Sequence, residues 1–468
     1  MRLASRLKNI NFLKGNAAYD DANRVRYGDP AKQADINNLI KAASRNVPLE
    51  QFLGASTNRE QPKTNFLSPI VSSATSACSF ESSTLPRKER MLTLTFWGNC
   101  VEECFGDKYK KHKKMLDIFQ IAKPILHLMN HETAHDASLW ALRNGLVPAP
   151  KLEKNPILEQ KIWGLNFANP IGLAEGFDKN AVAINPLLKQ GFGFVEVGTV
   201  TPLVQEGNDK PRLFRLAEDE AVINRFGFNN LGLAEYTKNF ARHDKKLGIA
   251  GANIGKNKTS EDAAQDYITC LKEVYKLADY ITINISSPNT KGLRDLQQKE
   301  QLGELLSQIS QARNEEVQKS GRRPILLKIA PDIDDMQAED IVEAVLEYGI
   351  DGIIVSNTTI SRPDSLKSAY KNEAGGLSGK PLFALSTERL GKIYQLTGGK
   401  IPLIGVGGVA SASDAYQKIR AGASLVQLYS ALVYQGFSLI RRINEELPKL
   451  LARDGFSHIS EAVGTQIL

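Results

Sequence analysis

A cluster of small polar side chains follows an apolar run in the middle of the chain, and it could hold and deprotonate a planar ligand. Residues 280–285 alternate apolar and polar side chains, and Asn284, Ser287 and Asn289 lie at or just beyond the end of this predicted strand. Amides donate and accept hydrogen bonds in one plane, and a hydroxyl between them could move a proton. A Pro-Asn turn that closes a buried strand would use the same residue types, so this segment alone leaves both interpretations open.

Glycine-rich segments near the carboxyl end of the chain could bind a phosphate group. Residues 405–408 (Gly-Val-Gly-Gly) and the pair Tyr429 and Ser430 each follow a predicted strand, and residues 375–379 supply another flexible loop. Glycines let backbone N–H groups approach a phosphate closely, as happens after the last two strands of many (β/α)8 barrels. Since the sequence contains no triphosphate motif, we expect a phosphate-bearing cofactor such as FMN.

Two lysines at the ends of predicted strands could act on a charged ligand. Lys179 follows Gly176-Phe177-Asp178, and Lys328 lies in an apolar run. A lysine beside a flavin can balance the negative charge of the reduced ring, and a lysine can also form a Schiff base with a carbonyl substrate. A salt bridge at the rim of the fold is the third interpretation.

Eight short apolar runs after Pro156 predict the strands that must position these groups. Most are separated by one helix length, which favours a (β/α)8 barrel over an open doubly wound sheet with Gly-x-Gly-x-x-Gly after its first strand. A longer connection, containing residues 212–216 and 221–223, predicts a small hairpin or lid. The predicted strands are 171–174, 194–200, 249–254, 280–285, 325–329, 352–356, 403–406 and 425–429.

The sequence before the barrel divides into two parts. Residues 1–112 are expected to be a largely disordered extension, because residues 1 to about 90 are rich in Asn, Ser, Lys and Arg, and the basic start is a weak transit-like signal. Residues 113–150 predict two amphipathic helices with a turn near Asn130, and residues 151–468 are expected to form the barrel. The helices could pack on the barrel, or lie on a membrane and admit an apolar co-substrate.

Composition limits the classes of function. The net charge of +7 is scattered along 468 residues rather than gathered into a basic groove, so no nucleic-acid partner is expected. Four cysteines without a histidine cluster argue against a metal site and favour a reducing compartment. No apolar run approaches the roughly 18 residues of a membrane-spanning helix, so the chain is not expected to span a bilayer.

Five motifs together resemble the dihydroorotate dehydrogenases of the membrane-associated, quinone-dependent class. The resemblance covers about residues 114–450 and implies an FMN-containing (β/α)8 barrel of pyrimidine biosynthesis. Such an enzyme oxidises dihydroorotate to orotate and passes the electrons to a membrane quinone. The motifs are residues 176–180, 195–202, 224–230, 284–294 and 375–379.

The resemblance also implies roles for individual residues. Ser287 would be the base that takes the proton from C5 of dihydroorotate while a hydride leaves C6 for the flavin, and soluble relatives have a cysteine there. The substrate would contact Lys179, Asn224, Arg225, Phe226, Gly227, Phe228, Asn284, Asn289, Asn357 and Thr358. FMN would contact Glu175, Gly176, Phe177, Asp178, Lys179, Thr199, Asn253, Asn284, Lys328, Ser356, Gly379, Gly408, Tyr429 and Ser430.

One residue departs from the family, and two others are candidates for the quinone. The family has a small residue at the position of Glu175, so this carboxylate must reach solvent, find a cation or crowd the flavin. The two helices would form a tunnel for the quinone, with His135 and Arg215 near its head group. We expect a peripheral protein on the cytoplasmic side of a bacterial inner membrane, with the mitochondrial inner membrane as the alternative, and no obligate protein partner.

Two other functions stay open on the residues alone. A Schiff-base aldolase or a phosphate-sugar isomerase on the same barrel would use Lys179 or Lys328 and need no flavin. A non-catalytic phosphate-binding barrel would leave the polar cluster after the fourth predicted strand without a purpose.

Overall fold

A computed structural model describes residues 118–150 and 154–466, so the predicted extension at residues 1–112 lies outside the described residues. Its helices are α1 (Ile118–Leu128), α2 (His131–Arg143), α3 (Ile184–Leu188), α4 (Gly232–Phe240), α5 (Ala263–Val274), α6 (Lys299–Ser320), α7 (Asp335–Glu347), α8 (Phe383–Thr397), α9 (Ala412–Arg420), α10 (Ser430–Gln435) and α11 (Ser438–Arg453). Its strands are β1 (Gln160–Ile162), β2 (Leu165–Phe167), β3 (Ile171–Leu173), β4 (Phe194–Val200), β5 (Leu213–Leu216), β6 (Ala221–Asn224), β7 (Ile249–Ile254), β8 (Tyr280–Asn284), β9 (Ile325–Ile329), β10 (Gly352–Val355), β11 (Gly376–Gly379), β12 (Leu403–Val406) and β13 (Ala423–Leu428).

Eight parallel strands of the described chain close into a barrel, which confirms the predicted fold class. Their order around the barrel is β10-β12-β13-β3-β4-β7-β8-β9. Four of the eight, β4, β7, β9 and β12, have the predicted bounds. Strands β3, β8 and β10 end one residue earlier than predicted, and β13 begins two residues earlier and ends one residue earlier. Ala174, Ile285, Ser356 and Tyr429 were predicted as strand and lie just beyond it, where the backbone turns toward the loops.

The lower end of the barrel is filled by a hairpin that the sequence did not predict. Strands β1 and β2 are three residues each and pair antiparallel, and the turn between them places Trp163 and Gly164 at positive φ. The Trp163 indole N–H donates to the Asp351 carbonyl at 2.7 Å, and the Phe167 ring lies 5.4 Å from that of Phe194. Burial of these aromatic rings closes the amino-terminal end of the barrel.

A small antiparallel sheet stands beside the carboxyl ends of the barrel strands. The long connection between β4 and β7 forms the predicted hairpin, β5 and β6, and β11 adds a third strand that was predicted only as a flexible loop. Glycine is required where β11 begins, because a Cβ on Gly375 would lie 2.3 Å from the Asn224 carbonyl oxygen and one on Gly376 would meet the Thr358 side chain. We call β5, β6 and β11 the lid sheet.

The two predicted helices before the barrel are present as α1 and α2, with the turn at the predicted place. Asn130 caps α2 by accepting a hydrogen bond from the Glu132 N–H at 3.0 Å. Glu132 in turn forms an ion pair with Arg212 beside the lid sheet at 2.6 Å. No helix among residues 118–150 and 154–466 is long and apolar enough to cross a membrane.

Candidate active site

A cavity of about 850 Å³ lies at the carboxyl ends of the barrel strands, next to the lid sheet, α1 and α2. The loops after parallel barrel strands meet at this end, so residues far apart in sequence converge there. The predicted site residues that line the cavity are Glu175, Gly176, Phe177, Lys179, Thr199, Asn224, Phe226, Gly227, Phe228, Asn284, Ser287, Asn289, Lys328, Ser356, Asn357, Thr358, Gly379, Gly408, Tyr429 and Ser430, together with His135 and Arg215.

Three predicted site residues do not line the cavity. The buried Asp178 carboxylate accepts hydrogen bonds from the N–H groups of Val182 at 2.9 Å and Ala183 at 2.7 Å, so it holds the turn after β3. The Arg225 guanidinium is turned toward Glu373, with an ion pair of 2.7 Å. The side chain of Asn253 is fully buried and is not part of the cavity lining. The contacts predicted between these three residues and a ligand stay predictions.

A buried hydrogen-bond network fixes the polar side chains at the ends of β4, β7 and β8. Thr199 Oγ1 donates to Asn253 Oδ1 at 2.6 Å, and Asn284 Nδ2 donates to both of these oxygens at 3.0 and 3.1 Å. The orientation of Asn253 is set from below, because its Nδ2 donates to Glu196 Oε1 at 2.7 Å. Thr199 and Asn284 therefore present defined edges to the cavity.

Glu196 was missed as a site residue, although a charge inside the apolar run of β4 was a usable signal. Its side chain is fully buried in the barrel and accepts three hydrogen bonds, from Asn253, Tyr280 and Gln427. Burial and the nearby Glu175 raise the pKa of Glu196, while the Lys328 ammonium and the hydrogen bonds from Asn253 and Gln427 act in the opposite direction. The carboxylate thus anchors the layer of amides beneath the cavity.

The loop after β8 is held by two residues to which the sequence assigned no role. Ser286 Oγ donates to Asn284 Oδ1 at 2.8 Å and accepts from Asn357 Nδ2 at 2.9 Å. The Arg294 guanidinium donates to the Ser286 carbonyl at 3.0 Å and to the Thr358 carbonyl at 2.9 Å. The loops after β8 and β10 consequently form one rigid wall, within which Ser287 and Thr358 reach the cavity.

Ser287 lies in this wall without a direct acid or base partner. Its Oγ accepts a hydrogen bond from the Asn289 N–H at 3.2 Å, and its side chain is buried. Among the described residues, no carboxylate, histidine or lysine hydrogen-bonds to this hydroxyl. Ser287 is therefore not part of a Ser-His dyad. A reaction at this site has to use a hydroxyl that no neighbouring carboxylate, histidine or lysine activates directly.

Lys179 faces the cavity as an available cation. Its ammonium lies 4.3 Å from the centre of the Phe226 ring and forms no ion pair with any carboxylate of the described residues. Burial lowers the pKa of Lys179 to about 8, while the more distant Asp136 and Glu132 carboxylates act in the opposite direction. A ligand carboxylate would supply the missing counter-charge.

Glu175 has found a cation, which is one of the three outcomes that its unusual position allowed. Its carboxylate forms an ion pair with the Lys328 ammonium, and both side chains line the cavity. Lys328 lies on β9 and is almost completely buried, whereas Glu175 follows β3. The carboxylate therefore neither points into solvent nor stands alone in the cavity wall.

The two quinone candidates differ in how their polar atoms are used. His135 packs edge-on against Phe177, with the ring centres 5.1 Å apart, and Tyr429 OH lies 3.4 Å from its Nδ1. Burial lowers the pKa of His135 to about 3, so the ring is neutral at physiological pH. The Arg215 guanidinium donates to the carbonyls of Leu126 and Met129 and so closes the end of α1, although it also lines the cavity.

The part of the cavity next to α1 and α2 is largely apolar. Small and apolar side chains from both helices line it, including Phe119, Ala122, Ala134 and Ala137. The outer faces of the helices expose Leu128 and Trp140. No cluster of three metal-ligating side chains occurs within residues 118–150 and 154–466.

Comparison with known proteins gives consistent matches. The family model described as dihydroorotate dehydrogenase matches residues 157–451. A dihydroorotate dehydrogenase (quinone) of Azorhizobium caulinodans is 54% identical over 355 residues, which are 75% of this chain and 100% of that protein. The mitochondrial enzyme of that name in Arabidopsis thaliana is 50% identical over 371 residues, covering 74% of this chain and 81% of that one.

A solved structure agrees with these matches. The crystal structure of DHODH from Eimeria tenella in complex with ferulenol superimposes with a TM-score of 0.69 and 42% sequence identity. The superposition covers 71% of this chain and 95% of the Eimeria tenella chain.

Proposed function

Because this chain belongs to the dihydroorotate dehydrogenase family, we propose that it oxidises dihydroorotate to orotate in pyrimidine biosynthesis and uses a quinone as electron acceptor. The observation that carries the proposal is the convergence of the Lys179 ammonium, the Ser287 hydroxyl and several amides in a single cavity. Dihydroorotate has a carboxylate, an acidic C–H group and a ring of amides, so each feature of the substrate has a counterpart in the wall.

Substrate recognition is assigned to the wall formed by the loops after β8 and β10 and by the end of β6. Lys179 binds the carboxylate, since its ammonium has no counter-charge of its own. Asn289 Nδ2 donates to Asn224 Oδ1 at 3.3 Å, which leaves polar atoms of both amides for the ring edge. Thr358 Oγ1 is buried and has no hydrogen-bond partner within the described chain, as expected for a group that bonds to a ligand.

Ser287 is proposed as the group that takes the proton from C5. The N–H of Asn289 fixes its hydroxyl from one side, so the other lone pair can face the substrate. A serine is a weak base, and as Ser287 Oγ accepts the C5 proton, the proton of its own hydroxyl must pass to water through the open cavity.

The residues present fit FMN as the hydride acceptor. Gly176 has φ +92°, and a Cβ placed there would have no atom closer than 3.7 Å, on Tyr429. The space beside Gly176 is therefore open to a ligand. The N–H groups of Gly408 and Ser430 donate to no other group of the described chain and would bind the phosphate. Thr199, Asn284 and Lys328 would contact the ring. FMN, when bound, supplies the two-electron redox step.

The apolar part of the cavity is proposed as the quinone site, with α1 and α2 lying on the membrane surface. Exposed Leu128 and Trp140 suit the apolar-polar boundary of a bilayer. His135 is neutral and is close to Tyr429, so it could bond to a quinone oxygen without carrying charge into this region. We keep the bacterial inner membrane as the proposed location and the mitochondrial inner membrane as the alternative.

Product formation with different acceptors tests this assignment. Purified protein should convert dihydroorotate to orotate with a short-chain ubiquinone analogue and not with NAD⁺ or fumarate. Orotate formation that depends on NAD⁺ or fumarate, or no orotate with any acceptor, would refute the proposed function.

A further inference from the structure

The ion pair between Glu175 and Lys328 crosses the mouth of the barrel. Glu175 follows β3 and Lys328 lies on β9, and these strands are four positions apart in the closed order of eight, which places them on opposite sides. Their side chains are only 11% and 2% exposed. The pair therefore lies over the barrel axis and forms the floor of the cavity, where a ring lying across the mouth would rest.

Within the described chain, the two charges have only each other as hydrogen-bond partners. Lys328 Nζ donates to Glu175 and to no other residue. The other carboxylate of the barrel interior, Glu196, is already bonded to Asn253, Tyr280 and Gln427. Glu175 is consequently the hydrogen-bonded counter-charge of Lys328, and removal of its charge leaves the buried Glu196, which is not bonded to the lysine, as the nearby carboxylate.

We propose that Glu175 lowers the reduction potential of the bound flavin by neutralising Lys328. The inference rests on the proposed function, because it requires FMN in this cavity. A lysine beside the flavin favours the reduced ring, which gains negative charge on taking up two electrons. A carboxylate paired with that lysine cancels most of this effect, and the low dielectric of the buried site makes the cancellation strong. Electrons then leave the flavin for the quinone more readily.

Binding of FMN in both redox states tests the inference without any turnover. Glu175→Gln keeps the size and hydrogen-bonding shape of the side chain but removes its charge. Apoprotein of this variant should bind reduced FMN about tenfold more tightly, relative to oxidised FMN, than the wild type does, which corresponds to about 30 mV for a two-electron couple. Equal changes in both affinities, or no change, would overturn the inference.

Two further variants show where the effect comes from. Glu315→Gln removes a surface carboxylate paired with Lys272 at 2.8 Å and should leave the affinity ratio unchanged. Lys328→Gln removes the cation of the pair and should shift the affinity ratio in the opposite direction, so that reduced FMN binds less tightly relative to oxidised FMN. A ratio that Lys328→Gln leaves unchanged would show that this lysine does not favour the reduced ring and would contradict the proposal.

A second measurement is needed because breaking a buried ion pair can destabilise a fold. Should the apoprotein of Glu175→Gln unfold, an equilibrium redox titration of the purified holoprotein against a dye of known potential gives the same quantity. An upward shift of about 30 mV supports the inference, and an unshifted potential refutes it. A wild-type protein that binds neither form of FMN would refute the proposed function itself, whereas normal FMN binding with an unshifted potential would refute only the role of Glu175.

Discussion

Asn289 donates a hydrogen bond from its Nδ2 to Asn224 Oδ1 at 3.3 Å, which joins the loop after β8 to the last residue of β6. The barrel and the lid sheet thus share one pair of amides at the cavity wall. Because both residues line the cavity and are bonded to each other, the binding of a ligand ring to one amide also depends on the position of the other. Predictions about binding, proton transfer and electron transfer follow from this wall and its neighbours.

Replacement of Asn224 by alanine should weaken the binding of orotate. A lost amide hydrogen bond in a closed site costs about 1–3 kcal/mol, so the orotate Kd should rise about 5- to 150-fold. The change in flavin absorbance on titration with orotate measures this Kd. FMN content should stay at the wild-type level, and Asn166→Ala, at an exposed position of β2 at the amino-terminal end of the barrel, serves as the matched control. An unchanged Kd in Asn224→Ala would contradict the assigned role.

Ser287→Ala should slow the reduction of the flavin by dihydroorotate at least about 100-fold, because general-base catalysis typically contributes that much. Orotate affinity should change little, since the substitution removes the proton acceptor and leaves the amides in place. Stopped-flow absorbance under anaerobic conditions gives the rate. Ser287→Cys should restore part of it, with a pH profile displaced to lower pH because a thiol ionises far more easily than a hydroxyl. Wild-type rates in Ser287→Ala would exclude the serine as the base.

Orotate binding should weaken as the pH rises through about 8. Burial lowers the pKa of Lys179 to about 8, so the ammonium that pairs with the ligand carboxylate is present below this pH and is lost above it. The Kd should rise about tenfold for each further pH unit. Isothermal titration between pH 6.5 and 9.5 measures the effect.

Two substitutions of Lys179 separate its charge from its size. Lys179→Met should bind weakly at every pH, and Lys179→Arg should remove the alkaline loss of affinity because arginine stays charged. A wild-type Kd that is constant up to pH 9.5 would contradict the pairing of Lys179 with the carboxylate.

Deletion of residues 114–148 should abolish quinone reduction and lower membrane association but spare the reduction of the flavin by dihydroorotate. The deleted segment contains both helices that flank the apolar part of the cavity, and no proposed dihydroorotate contact lies in it. Quinone turnover and flotation with anionic vesicles measure the two losses. Unchanged quinone turnover would refute the assigned role of these helices.

A single substitution tests the role of the same helices without the risk that the deletion disrupts the fold. Ala137 of α2 lines the cavity, so Ala137→Trp should fill its apolar part and raise the KM for quinone at least about tenfold. The rate of flavin reduction should stay within a factor of two of the wild type. Thr133→Ala, at an exposed position of the same helix that does not line the cavity, is the control for helix stability.

Much of the fold could be predicted from the sequence because the barrel strands are short, buried and evenly spaced. The runs at 194–200 and 325–329 have the predicted bounds since they are mostly apolar and buried on both faces, as is typical of parallel strands inside an α/β fold. The hairpin of β1 and β2 and the strand β11 were missed, because three- or four-residue strands rich in glycine or turn residues give no periodic signal.

The sequence could predict most of the residues that line the candidate site, but not which side chains form ion pairs or hydrogen bonds with each other. Ser287, Lys179 and most of the other predicted residues line one cavity, whereas the Glu175–Lys328 ion pair joins positions 153 residues apart. Such a contact depends on how the barrel closes, which no local pattern encodes. Arg294 was missed for the same reason, since its partners come from two separate loops.

Anaerobic mixing of the FMN-loaded protein with dihydroorotate tests the central claim most directly. In the absence of quinone, the oxidised flavin absorbance should bleach in a single turnover, with one orotate formed per flavin, and addition of a ubiquinone analogue should restore the absorbance. A flavin that stays oxidised in the presence of dihydroorotate, while a chemical reductant still bleaches it, would contradict the account.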